Sequence, residues 1–122
     1  MDFKVVDQYE KYGRKIVIVH TNLDKREKQL VETNQFHKDF FKTHYCGYVS
    51  LKGNYYPDEE EVDCEYSAPG GITWIGPLEQ YGIEGKFIGF DTAHPFMEDY
   101  TQEEAAKDCE DLAKQLNKKG KF

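Results

Sequence analysis

Gly85-Lys86-Phe87-Ile88-Gly89-Phe90-Asp91-Thr92-Ala93-His94 is the stretch whose reading decides the fold. Phe87, Ile88 and Phe90 make it a buried strand, and the polar residues that follow deliver Asp91 and His94 into a loop at its end. Just upstream, Gly70-Gly71-Ile72-Thr73-Trp74-Ile75-Gly76 is read as a second strand, Ile72 to Ile75, closed by Gly76-Pro77 and carrying the chain's only tryptophan.

The rest of the chain supports these two strands. Phe3 to Leu23 reads as a β-hairpin that turns at Tyr12-Gly13-Arg14, because Gly13 tolerates positive φ. Its second arm, Ile16-Val17-Ile18-Val19, is apolar on both faces and belongs inside a sheet. His44 to Leu51 is a further strand, with Cys46, Tyr48 and Ser50 on one face and Tyr45, Gly47, Val49 and Leu51 on the other. Between them, Asp24 to Thr43 is read either as one broken helix or as a loop and a helix that packs Phe36, Phe40 and Phe41 on the sheet. Asp58-Glu59-Glu60-Glu61 is expected as an exposed acidic loop. Val62-Asp63-Cys64-Glu65-Tyr66 alternates as a short strand would, with Val62, Cys64 and Tyr66 inward.

Toward the C-terminus, Thr101-Gln102-Glu103-Glu104 has the form of a capping box. Ala105, Ala106, Cys109, Leu112, Ala113 and Leu116 then fall on one helical face, and Lys118-Lys119-Gly120 ends the helix. The expected architecture is α+β: one domain over residues 1–122, with a small, mostly antiparallel twisted sheet of about five or six strands and a C-terminal amphipathic helix packed on it.

Composition narrows the function. The aromatic content is 15% and the formal net charge is −7, which suits a sheet core and argues against direct binding to nucleic acid phosphates. An acidic protein is suited to a basic partner surface, and Asp58, Glu59, Glu60 and Glu61 are the candidate contact residues. No run approaches membrane-spanning length, and Met1-Asp2-Phe3-Lys4 is not the start of a secretory signal. Three cysteines, an odd number, then imply a reducing cytoplasm and thiols that are free or metal-bound.

Cys46, Cys64, Asp91 and His94 form the candidate metal set, since two thiolates, a carboxylate and an imidazole suffice for a structural zinc. Three ligands, Cys46, Asp91 and His94, would instead leave a position for water and hydrolytic chemistry. The plainer alternative has Asp91 accepting hydrogen bonds from nearby backbone amides. Nucleophilic catalysis is not expected: Ser50 and Ser67 lack the nucleophile-elbow context, and His44 and Cys46 are taken to leave their strand on opposite faces. Cys109 is assigned to the helix core.

The series Cys46-Gly47-Tyr48-Val49, Gly70-Gly71-Ile72-Thr73 and Gly89-Phe90-Asp91-Thr92-Ala93-His94 resembles a family of small phage and prophage proteins. Members of that family look like CGYV…HGGLTxxG…GFDxAHxGD, and the resemblance runs over roughly residues 10 to 116. Cys46, Asp91 and His94 match its motif positions, whereas Pro69 and Asn54 stand where the family has histidines, and the ending is stretched into His94-Pro95-Phe96-Met97-Glu98-Asp99. More loosely, the chain is similar to the zinc-containing type II-A anti-CRISPR proteins. The resemblance implies a non-enzymatic phage inhibitor of a host defence nuclease, with Cas9 as partner and the host cytoplasm as its place of action. A small metal-dependent hydrolase and a metal-free accessory phage protein are the alternatives.

Overall fold

The computed structural model describes residues 1–37, 43–93 and 99–122. Five strands, β1 (Asp2–Lys11), β2 (Arg14–Asn22), β3 (Tyr45–Leu51), β4 (Trp74–Leu78) and β5 (Ile83–Asp91), form one antiparallel sheet in the order β1-β2-β3-β5-β4. Among the described residues, three α-helices, α1 (Lys25–Glu32), α2 (Glu59–Glu65) and α3 (Gln102–Lys119), accompany it. The protein is therefore α+β, with the C-terminal helix on the sheet, as expected.

The hairpin turns through two residues, Tyr12 at φ 56° and Gly13 at φ 75°. Positive φ at both central positions matches the twist of the flanking strands. The register slips between Val5 and Asp7, so β1 carries a bulge at the sheet's edge. Ile16 to Val19 are wholly buried, because β2 lies between β1 and β3 and both its faces are covered.

The two sheet faces follow the alternation read from the sequence. Ile16, Ile18, Val49, Leu51, Ile88 and Phe90 pack beneath α3, which contributes Ala105, Cys109, Leu112, Ala113 and Leu116. Val17, Val19, Cys46, Tyr48 and Phe87 point to the other face, where Leu78 and Ile83 join them. Helix α3 starts at Thr101, whose hydroxyl accepts from Glu104 N at 3.1 Å, and stops at Gly120 in the left-handed region. Arg14, just past the hairpin turn, is buried: its Nη1 donates to the carbonyls of Ser50 (2.9 Å) and Phe122 (3.2 Å), and its Nε to Asn117 Oδ1 (2.9 Å). One guanidinium thus ties β2, β3 and the end of α3 together.

A local expectation is corrected on the acidic side of the sheet. Val62 to Tyr66 is no strand: residues Glu59–Glu65 form α2, capped by Asp58, whose side chain accepts from Glu61 N at 2.8 Å. Val62 and Tyr66 are four residues apart, so a helix buries both as well as a strand would, and three glutamates in the first turn favour the helix dipole. The residue that changes sides is Cys64, which a strand points inward and the helix points outward. The segment after the hairpin opens on a helix. Asp24 and Glu27 make a full capping box there, so α1 is a separate short helix, and it buries no residue. Phe36 is 42% exposed, and Phe40 and Phe41 lie outside the described residues.

Strand β4 also differs at both ends, since it starts at Trp74 instead of Ile72 and runs on through Gly76-Pro77 to Leu78. An edge strand tolerates a proline because its outward N–H has no ladder partner to lose.

Candidate functional site

On the face away from α3, the strand register sets side chains in rows. One row is Val17, Tyr48, Gly89 and Trp74, and the next is Val19, Cys46 and Asp91. Gly89 leaves a gap in the first row. A Cβ there would lie 2.5 Å from the Gly47 carbonyl oxygen and would also strike the Tyr48 ring, so only glycine fits. Tyr48 and Trp74 meet across this gap edge-to-face, with ring centroids 6.4 Å apart. The result is a cleft of about 430 Å³ bordered by His44, Cys46, Tyr48, Trp74, Tyr81 and Asp91.

The thiol and the two phenols of the cleft keep their protons. Burial pushes the Cys46 thiol up to about 11, the neighbouring Asp91 carboxylate adds to the rise, and the Tyr48 hydroxyl offsets part of it. The Tyr48 phenol is raised far above the usual tyrosine range, by burial first and then by Cys46 and Tyr81. Burial raises Tyr81 as well. At neutral pH, Cys46 is therefore a thiol and not a thiolate, which is the wrong form for a nucleophile. His44 and Cys46 border the same cleft, contrary to expectation: His44 precedes β3, so the alternation of strand faces does not place it. The imidazole stands 3.3 Å from Thr21 Oγ1.

Three of the four expected metal ligands lie among the described residues. Cys46 and Asp91 are cross-strand partners. Cys64 sits on α2 and is exposed. His94 lies outside the described residues. Among the described residues, no group of three or more His, Cys, Asp or Glu side chains is placed to hold a metal ion. Asp91 Oδ1 accepts from Ala93 N at 3.2 Å, the local backbone contact foreseen as the alternative to ligation. Thr92 anchors the strand's end, its Oγ1 donating to Tyr45 O at 2.9 Å and accepting from Tyr45 N at 3.1 Å.

The acidic run is placed on a helix and not in a loop. Asp58 is the cap of α2, Glu59 and Glu60 are exposed in its first turn, and Glu61 is half-buried and paired with Lys121. Asp63 and Glu65 extend the acidic surface along the same helix, an addition the strand reading hid. Tyr55, 80% exposed, lies just before it in the chain. A second cleft, of about 370 Å³, separates α2 from β4, with Glu59 and Asp63 on one side and Ile72, Trp74 and Ile75 on the other. Trp74 borders both clefts. Its position as the lone tryptophan on a strand end was the one sequence signal for it.

Compared with protein-family models, curated proteins and solved structures, the chain finds no match. Among the described residues, no helix is long and apolar enough to cross a membrane.

Proposed function

We propose that this protein is a phage-encoded inhibitor of a host defence nuclease, of the anti-CRISPR type and directed at Cas9. It acts in the host cytoplasm by protein–protein binding, through the acidic surface of α2, and not by catalysis. The observation that carries the reading is the set Glu59, Glu60, Asp63 and Glu65, exposed on one capped helix and, among the described residues, without ion pairs. Carboxylates held on a helix cost less to order against a partner than carboxylates on a loop. Cas9 holds its nucleic acids in positively charged channels, and a partner of net charge −7 is steered toward such a surface.

A structural zinc is a separate proposal: with Cys64 on the exposed side of α2, Cys46, Asp91 and His94 need a fourth ligand from elsewhere to close the site. Elemental analysis of the untagged protein, with melting curves before and after chelation, tests it: stoichiometric metal and a large drop in melting temperature support it, and a metal-free protein ends it. The inhibitor reading is tested by target-DNA cleavage with guide-loaded type II-A Cas9. Excess protein should suppress cleavage, and suppression should weaken steeply as salt is raised. Undiminished cleavage at saturating protein contradicts the proposal.

A further inference from the structure

We infer that the cleft between Tyr48, Trp74 and Tyr81 is a binding site for a flat aromatic amide of one or two rings. The inference uses neither the acidic face of α2 nor a metal, so it stands apart from the nuclease reading and from the zinc proposal.

The strand register puts the walls of this cleft on one face of the sheet. Gly89 pairs with Tyr48 on one side and with Trp74 on the other, and two residues along β5 Asp91 pairs with Cys46. The Tyr48 ring lies over Gly89, where an added Cβ would fall 2.4 Å from its Cδ1, so the phenol forms the floor. Trp74 meets that ring at an interplanar angle of 84° and is 36% exposed, which makes the indole a wall that solvent reaches. The indole is also held in place, since it lies against Gly76, where an added Cβ would come within 3.4 Å of it. Tyr81 borders the cleft from the short turn Glu79–Tyr81 that follows β4.

Size, shape and chemistry each narrow the ligand. A cleft of about 430 Å³ lies at the small end of the range for ligand sites, with room for one or two rings. Aromatic planes set nearly at right angles suit a flat ring, which stacks on one of them while its edge meets the other. Polar groups stand in line along the cleft: the Tyr48 hydroxyl interacts with the Cys46 thiol and with the Tyr81 hydroxyl. Cys46 and Tyr48 are more than nine-tenths buried, so these groups form a polar row within aromatic surroundings. Each can donate or accept a hydrogen bond, which matches the N–H and C=O of an amide. Acids are excluded. Among the described residues that border the cleft there is no lysine or arginine, and Asp91 adds a carboxylate, so a buried anion would have no counter-charge.

The single tryptophan makes the test direct, because it gives one indole N–H resonance in a nitrogen-labelled sample. The protein is titrated with quinoline-3-carboxamide and with quinoline-3-carboxylate, the same two rings carrying an amide or an acid. The amide should move the indole resonance saturably, with a dissociation constant of about 1 mM or tighter. The carboxylate should bind at least about tenfold more weakly. Tyr81→Phe keeps the ring and removes the hydroxyl, and it should weaken the amide about three- to tenfold. Tyr81 is half-buried, so this variant should melt within about 2 °C of the native protein. Glu60→Gln, on the exposed side of α2, should leave the amide's affinity within about twofold. An indole resonance that stays still in excess amide, equal binding of amide and carboxylate, or a folded Tyr81→Phe protein that binds the amide as tightly as the native one overturns the assignment. The comparison of the two probes needs no variant, so the inference is decided even where Tyr81→Phe does not fold.

Discussion

Replacing Gly47 with alanine should destabilise the fold by about 2–3 kcal/mol, although the change adds a single methyl group. Gly47 lies on β3 beneath α3. A Cβ built there falls 2.5 Å from Cys109 Sγ and 2.6 Å from Phe90 Cζ. Side-chain carbons do not approach this closely, and both struck groups are wholly buried core members with no open space to retreat into. The backbone at Gly47 is not in the left-handed region, so the cost is one of packing alone. For a chain of 122 residues the melting temperature should fall by about 6–15 °C. Cys109→Ala removes one of the two struck atoms, at a cost of about 1–2 kcal/mol by itself. The double variant should then be more stable than the sum of the two losses predicts, by about 1 kcal/mol or more, while Phe90 still has to shift. Urea unfolding of all four proteins gives the cycle. An unchanged midpoint for Gly47→Ala, or strict additivity in the double variant, would refute the reasoning that α3 needs a glycine at this crossing.

Arg14→Met should cost about 2–3 kcal/mol in urea unfolding, because it leaves the Ser50 and Phe122 carbonyls and Asn117 without their buried donor, and Arg14→Lys should recover only part of that loss. A disulfide-exchange reagent at pH 8 should titrate one thiol quickly, Cys64, and the buried Cys46 and Cys109 only on unfolding; Cys64→Ser should abolish the fast phase and leave the melting temperature within about 2 °C. Stability should fall as pH rises. Cys46 is raised from 9.0 to about 11, so its contribution is complete below pH 9 and is lost as pH climbs through 11, with the raised Tyr48 and Tyr81 acting in the same direction. Melting curves from pH 8 to 11 check the sign.

Much of this architecture is legible in the chain because local chemistry decides it. Gly13 marks the hairpin, the apolar run Ile16–Val19 marks an inner strand, and the pattern from Thr101 to Gly120 marks α3 with its cap, its buried stripe and its stop. Alternation alone does not separate a short strand from one helical turn and a half. Val62 and Tyr66 satisfy both, and the Asp58 cap followed by three glutamates is the signal that favours the helix. Asp24 and Glu27 give α1 away by the same means.

The candidate site is less legible, since it is made by register between distant strands. Nothing near Tyr48 in sequence indicates that it will meet Trp74 across Gly89. The motif glycines Gly47 and Gly89 gain a meaning that composition could not supply, because each one admits a side chain from a neighbouring element. In the sequence Arg14 is only the last residue of a turn, and its burial depends on carbonyls from β3 and the C-terminal segment.

Binding to the nuclease tests the central proposal most directly. Guide-loaded type II-A Cas9 is titrated with the native protein and with Glu59→Lys/Glu60→Lys, which leaves the Asp58 cap and the Glu61–Lys121 pair intact. The native protein should bind, and the variant should melt within a few degrees of it while losing about tenfold or more in affinity. Equal affinity in the two proteins, or no binding by the native one, would contradict the proposal.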